Sequence, residues 1–353
     1  KLIEEKKWEY LFDKDNPNVT NTSPYFNIIG SLVLGDPSGG ENWKIGTSGN
    51  IITWTSYAIN LLNISFSTDN ETWNNITPNY PANQSSYNWS INDSTFANNT
   101  VGIRIQDQAN PANVTLVSQP INLTANIDVT QPEGQEDIVI ANETYYITWT
   151  SIGLNNTDYV IINYTTDGTN WSYAEPAGNH TAVNNGNYSW DPVPWENLSN
   201  NCKVRVIDAN NPNGNGTSES AFIIRGRLEV TSPNNGSEIW EVSDNRSVNW
   251  TVKGNISLVD VYYSAYNGSN GTWSKVTPEP QAASNFTWLW PIVENTTTSP
   301  WAIIKVAEYG NEDNVSDVSN GTFEVRGKLT LNQPSNETFL VMDYDGDNQY
   351  DIT

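Results

Sequence analysis

Ile51-Ile52-Thr53-Trp54-Thr55-Ser56-Tyr57 and Leu61-Leu62-Asn63-Ile64-Ser65-Phe66 are two runs in which apolar and polar side chains alternate, separated by Ala58-Ile59-Asn60. Alternation with a period of two marks half-buried strands. The first run is not unique. Ile52-Thr53-Trp54-Thr55 recurs as Ile147-Thr148-Trp149-Thr150 and again as Val248-Asn249-Trp250-Thr251. Three further landmarks move in step with it. Ser67-Thr68-Asp69 leading to Trp73 becomes Thr165-Thr166-Asp167-Gly168 leading to Trp171, and then a Gly-Ser-Asn-Gly turn leading to Trp273. Tyr87-Asn88-Trp89 pairs with Tyr188-Ser189-Trp190 and with Phe286-Thr287-Trp288, and Ile103-Arg104-Ile105 with Val204-Arg205-Val206 and Ile304-Lys305-Val306. The landmarks repeat every 95 to 102 residues, which makes three copies of one unit.

Within a copy, runs rich in Val, Ile, Tyr, Trp and Thr are punctuated by Asn-Gly, Asp-Gly and Pro-Asn clusters about every 10 residues. About seven strands per hundred residues predicts an all-β chain of tandem Ig-like or fibronectin-like antiparallel β-sandwiches. Helix is not expected. The segment before the second tryptophan reads as a tight hairpin. Complete copies are expected over 31–126, 127–226 and 227–326. Residues 13–30 match 208–226, so 1–30 reads as the last strands of a preceding copy, and 327–353 as the first strands of a following one. Two strands bury too little apolar surface to stand alone and leave open edges. Two readings of these ends stand side by side: the chain is a window on a longer array, or a neighbouring subunit supplies the missing strands. Lys1 to Trp8 has no counterpart elsewhere and reads as a docking segment.

The motif order resembles a family of surface-protein repeats related to the fungal cell-wall glucan-synthesis Ig-like domain. The resemblance lies in an opening Asp36-Pro37-Ser38-Gly39-Gly40-Glu41-Asn42-Trp43 (Ser232-Pro233-Asn234-Asn235-Gly236 before Trp240 in the third copy), followed by the landmarks above. The second copy departs with Ile138 in the tryptophan slot, and the third with Glu308 in place of an aspartate. The resemblance implies the sandwich fold and a spacer or structural role.

Composition bounds the function. The chain of 353 residues carries 16 Lys and Arg against 40 Asp and Glu, a formal charge of −24. Such a field disfavours nucleic acid and anionic membrane surfaces. No run of 18 apolar residues is present, so no membrane span is expected. The chain has a single cysteine, so no intrachain disulfide can form. Among 52 Asn and 65 Ser and Thr there are 30 Asn-x-Ser/Thr triplets. Chance placement would give about 10. The excess predicts an exported protein coated with N-linked glycans, and with no disulfide it points to a prokaryotic, archaeal, cell surface.

The acceptors ahead of and within the first copy are Asn18, Asn21, Asn63, Asn70, Asn75, Asn83, Asn88, Asn92, Asn98, Asn113 and Asn122. Those of the second are Asn142, Asn155, Asn163, Asn170, Asn179, Asn187, Asn197 and Asn215. Asn235, Asn245, Asn249, Asn255, Asn267, Asn270, Asn285, Asn295, Asn314 and Asn320 follow in the third, and Asn336 beyond it.

One acidic stretch has the spacing of a calcium loop. Asp343, Asp345, Asp347 and Asp351 fall at positions 1, 3, 5 and 9, where alternate carboxylates converge on a cation wanting six to eight oxygens. Calcium is therefore the candidate cofactor; the competing reading is a solvated acidic hairpin with no ion. Asp13 and Asp15 form a much weaker pair.

The tryptophans at repeated positions read as core, Trp54, Trp149 and Trp250 foremost. Trp195, Trp290 and Trp301, outside the repeat, are candidates for a ligand, a partner or packing between copies. Arg104, Arg205 and Lys305 lie between apolar neighbours, so they point outward, towards expected aspartate partners. Cys202 aligns with Val101 and Ala302 and reads as a small core residue, and His180 as a surface loop residue. Neither makes a catalytic triad or a zinc site. The expectation is a non-enzymatic structural subunit of an extracellular filament or surface layer, polymerised with copies of itself. An adhesin stalk, a carbohydrate-binding array or the spacer of a larger protein are the alternatives.

Overall fold

The computed structural model describes residues 6–7, 10–24, 26–92, 97–134, 137–174, 178, 180–196, 198–269, 271–292 and 296–329. Among them the regular structure is strand, with short 3-10 turns at Ala82–Gln84 and Ala283–Asn285. By contacts the chain separates into two compact units. One comprises Lys1–Val139, Glu143–Val193 and Ser199–Ile224; the other comprises Ile140–Asn142, Pro194–Leu198 and Arg225–Thr353.

The first unit holds two sandwiches of the same topology. In the first, one sheet has the order Ser86–Asn88, Ile51–Tyr57, Ser31–Leu34. The facing sheet runs Asn42–Lys44, Ile121–Thr124, Thr100–Asp107, Leu61–Ser67, Asn74–Pro81, with Thr115–Val117 also on Thr100–Asp107. Its pairs are antiparallel except Asn42–Lys44, which runs parallel to Ile121–Thr124. A chain that switches sheets near its start and returns parallel to the last strand has the strand order of an immunoglobulin sandwich. The second sandwich repeats it, with Asn126–Gln131, Tyr145–Ile152 and Asn187–Trp190 facing Ile138–Ile140, Phe222–Arg225, Ser199–Asp208, Tyr159–Thr165 and Ser172–Tyr173.

These segments form strands because every second residue has somewhere apolar to go. Ile52 and Trp54, then Leu62, Ile64 and Phe66, then Val101, Ile103 and Ile105, all lie in one buried cluster. Ala125 alone separates the last strand of the first sandwich from the first strand of the second. The joint between them is polar as well as apolar. Lys44 Nζ donates to the Asn215 carbonyl at 2.8 Å and Asn98 Nδ2 to the Asp208 carboxylate at 2.9 Å. Asn211 Nδ2 donates to Asn98 Oδ1 at 2.9 Å. Gly46 has a positive φ of 73°, and a Cβ there would lie 2.6 Å from Ile152 Cδ1.

The second unit contains the third sandwich. Arg227–Ser232, Asn245–Lys253 and Thr287–Pro291 form one sheet, and Ile239–Glu241, Phe323–Arg326, Ser299–Glu308, Leu258–Ser264 and Ser274–Lys275 the other. Its core again alternates along the strands and is filled by Trp240, Trp250, Tyr263, Trp290 and Phe323.

Near the N-terminus, Tyr10–Phe12 pairs with Thr20–Thr22 and the Asp13 N–H donates to the Val19 carbonyl at 3.0 Å. The Asp208 N–H makes the corresponding bond to Gly214, at 2.8 Å. This hairpin has the form of the last hairpin of a sandwich, but its burial differs. Phe26 and Ile28 are 41% and 53% exposed, whereas Phe222 and Ile224, their matches in the second sandwich, are 0% and 1%.

Two details of the sequence reading are corrected by register. The N–H of Trp54 donates to Ser85, that of Trp149 to Gly186 and that of Trp250 to Phe286. Counting from these bonds, Trp89 and Trp190 correspond to Trp290, not Trp288. The third copy therefore reads Trp288-Leu289-Trp290 where the others read Tyr-x-Trp. Ser85 and Phe286 are both left-handed residues, with φ of 59° and 58°, closing equivalent 3-10 turns. In the second copy the N–H of Ala141 donates to Arg225 as Ile45 does to Thr124 and Val242 to Arg326. The residue in the slot of Trp43 and Trp240 is thus Val139, which is buried, and not Ile138, which faces outward.

Candidate functional site

The features that recur outside the core are a cation on an aromatic ring, a carboxylate-closed loop and the amides of the Asn-x-Ser/Thr triplets. Arg104, Arg205 and Lys305 do point outward, but their partners are the hairpin aromatics. The Arg104 guanidinium lies 4.3 Å from the Trp73 ring centre and Arg205 lies 4.3 Å from Trp171. Lys305 Nζ sits 4.6 Å from the Tyr262 ring and 5.1 Å from Trp273. A cation over an indole face is favoured by the ring quadrupole and keeps its hydration on the other side. In repeat 1, Arg104 Nε also donates to the Ser65 hydroxyl, 3.2 Å away. The aspartate that precedes the hairpin tryptophan does a different job.

That aspartate builds the loop. Asp69 Oδ1 accepts the N–H of Glu71 and of Thr72 at 2.8 and 2.7 Å and the Ser67 hydroxyl at 2.8 Å. Asp167 repeats the pattern with Thr169, Asn170 and Thr165. The connection is therefore a six-residue loop, Thr68 to Trp73 and Thr166 to Trp171, and not the tight hairpin expected from Asp-Gly. Donation from Thr72, Glu71 and Ser67 holds the Asp69 carboxyl at about 2. Donation from the Asn170 backbone first, with its side-chain amide and Thr169, holds Asp167 below the ordinary carboxylate range.

A second carboxylate closes the opening turn of each copy. Glu41 accepts Ser38 N–H at 2.7 Å and Gly39 N–H at 2.8 Å; Asp137 accepts from Glu133 and Gly134, and Glu238 from Asn234. Burial pushes Glu41 and Glu238 up, but the donated bonds outweigh it and both are lowered. The glutamate of the opening motif is thus a turn clamp.

Of the thirty glycan acceptors, twenty-five lie among the described residues; Asn179, Asn197, Asn270, Asn295 and Asn336 do not. Twenty of the twenty-five are exposed, and Asn63, Asn122, Asn163, Asn215 and Asn249 are half-buried. Asn98, though exposed, is bonded at both side-chain atoms across the joint, so a sugar on its Nδ2 would compete with Asp208.

Trp54, Trp149 and Trp250 are buried, and their indole N–H groups donate to Ala82, Asn184 and Ala283. Of the three tryptophans set aside as freer, Trp290 is core, while Trp195 and Trp301 are 51% and 62% exposed. The Trp195 carbonyl accepts the Asn255 N–H at 3.0 Å. Cys202 is buried and burial pushes its thiol up, a structural cysteine's environment. His180 is half-buried in a loop, its ring stacked on Tyr173 at 3.9 Å. Asp13 spends its carboxylate on the N–H of Asp15 and Asn16.

Among the described residues no three His, Cys, Asp or Glu side chains gather into a metal site, and no helix is long and apolar enough to cross a membrane. Asp343, Asp345, Asp347 and Asp351 lie outside the described residues.

No protein-family model matches the chain, and no curated protein does. Solved structures similar to it include the N-terminal four Ig domains of Dscam1 isoform 1.9, at 10% identity and TM-score 0.26, with 88% of this chain and 77% of that one covered. The three N-terminal domains of the highly immunogenic outer capsid protein of bacteriophage RB49 match at 11% identity and TM-score 0.26, covering 84% of this chain and 99% of theirs. The titin I-band fragment I67–I69 matches at 10% identity and TM-score 0.27, also covering 84% and 99%. The fold assignment rests on the strand order and register described above.

Proposed function

We propose that the chain is a non-enzymatic structural component of a cell surface, a glycan-coated array of Ig-like sandwiches in an extracellular filament or surface layer. The observation that carries this reading is the placement of the Asn-x-Ser/Thr acceptors. They occur at three times the chance frequency, and twenty of the twenty-five described are exposed, on a chain whose recurrent polar groups are spent on closing loops. Side chains already committed to turn N–H groups are not poised for acid–base chemistry. Glycans on outward positions would keep a net charge of −24 soluble at high local density and block pairing of open sheet edges.

Copies would join through apolar strand faces such as that of Phe26 and Ile28, completed by strands of a neighbouring copy or by further residues of the same protein. Head-to-tail contacts of this kind generate open filaments. Calcium is proposed for Asp343, Asp345, Asp347 and Asp351, in the acidic loop expected to join the first two strands of the following copy. The kinship to the glucan-synthesis Ig-like repeats of surface proteins is proposed on the opening motif and its glutamate clamp.

Electron microscopy of the purified protein with calcium present tests the assembly. Ordered fibres or sheets are expected; monodisperse monomers at high concentration would count against it.

A further inference from the structure

The third sandwich departs from the other two at one place on its surface. In the first two copies the loop after the third long strand carries Asp69 or Asp167. In the third the same position is Tyr266, and the loop lacks that carboxylate; the Ser264 hydroxyl accepts the N–H groups of Tyr266 and Gly268, each at 3.2 Å, as the Ser67 and Thr165 hydroxyls accept those of Asp69 and Asp167. Beside it, Ser299–Glu308 carries Trp301 where the other copies have Thr100 and Asn201. The Asn267 N–H donates to the Trp301 carbonyl at 3.0 Å, fixing loop to strand. Two polar positions that adjoin one another have therefore both become aromatic.

Neither ring serves the core. Tyr266 is 61% exposed and Trp301 62%, and both line a concavity of about 480 Å³. Asn267 and Thr298 offer it an amide and a hydroxyl, the Ser269 and Ser299 hydroxyls donate to the Tyr266 and Ala265 carbonyls, and among the described residues no charged side chain lines it. The other two copies close the same loop without either ring, so folding does not require the pair. Large exposed aromatics flanked by neutral polar groups mark a binding surface.

We propose that Tyr266 and Trp301 form a saccharide-binding platform. A pyranose ring has an apolar C–H face and a rim of hydroxyls, which match an aromatic floor and a rim of neutral donors and acceptors. A cation is disfavoured because the carboxylate of the other copies is the group lost here. An anion is disfavoured by the net charge of −24. The sugar has two possible sources of the same chemistry: a glycan on Asn267, itself in an Asn-Gly-Ser triplet, or a saccharide outside the chain.

The test uses the full chain, produced without glycosylation, in saturation-transfer NMR with chitotriose, maltotriose and cellotriose as probes. Transfer to the ring C–H protons of at least one probe is expected. Trp301→Thr and Tyr266→Asp, which install the residues of the first copy, should weaken it by about tenfold or more with unchanged circular dichroism. Absence of transfer to all three probes, or equal transfer in both variants, would overturn the proposal. Repeating the measurement on native material separates the sources. Binding seen only without glycosylation assigns the platform to the chain's own glycan, and binding in both assigns it to an external saccharide. Because the unglycosylated protein is read directly, the result stands apart from the glycan coat.

Discussion

A single outward arginine shows what pattern can and cannot reveal. Alternation between apolar neighbours places Arg205 on the outer face, and it is there. Its partner was not legible, because Trp171 sits on a loop more than thirty residues away and a carboxylate is the commoner mate for a guanidinium. The ring contact should be weak but measurable. A double-mutant cycle of Arg205→Met and Trp171→Ala, read by urea unfolding, should give a coupling of about 0.5–1 kcal/mol. A coupling of zero would leave the contact without energetic meaning. The loop aspartates make a prediction of opposite character, in pH. A carboxyl whose folded pKa is depressed contributes stability that is present above the unfolded value near about 4 and lost as pH falls through the folded one. For Asp69 that value is about 2. The thermal stability of the first sandwich should therefore fall as pH drops across this interval, and Asp69→Asn should flatten the dependence by keeping the acceptor without the charge. An unchanged slope in that variant would contradict the account of the loop.

At the scale of the strand, the repeat was legible because each copy must bury the same alternating face. Two registers were not. A slip of two residues leaves every side chain on its own face, so Phe286-Thr287-Trp288 fits the alternation as well as Trp288-Leu289-Trp290 does. Only the bond from Trp250 N–H to the Phe286 carbonyl settles it. A slip of one reverses the faces, and Ile138 and Val139 are too alike in composition to reveal it. The correction has an energetic consequence. Trp290 packs against Trp240 and Tyr263 with ring centres 6.0 and 5.0 Å apart, whereas Trp288 lies partly buried at the edge of the cluster. Trp290→Ala should destabilise the third sandwich by about 3–5 kcal/mol, and Trp288→Ala by clearly less, in chemical denaturation. The reverse order would restore the register read from sequence.

For the whole molecule, the sandwiches and their strand order follow from periodicity and turn residues, while the surface follows from composition. The triplet excess identifies the acceptors but says nothing of the joint that engages Asn98, since that contact spans more than a hundred residues of sequence. Trp301 stands out in the sequence as a tryptophan outside the repeat, whereas Tyr266 becomes conspicuous once three copies of one fold are compared position by position. The proposed carbohydrate-covered, load-bearing surface would unite the charge, the single cysteine and the exposed amides. Intact mass spectrometry of protein from its native source tests this most directly. The account predicts that this mass falls by several kilodaltons when N-linked glycans are removed. A mass unchanged by deglycosylation would contradict it.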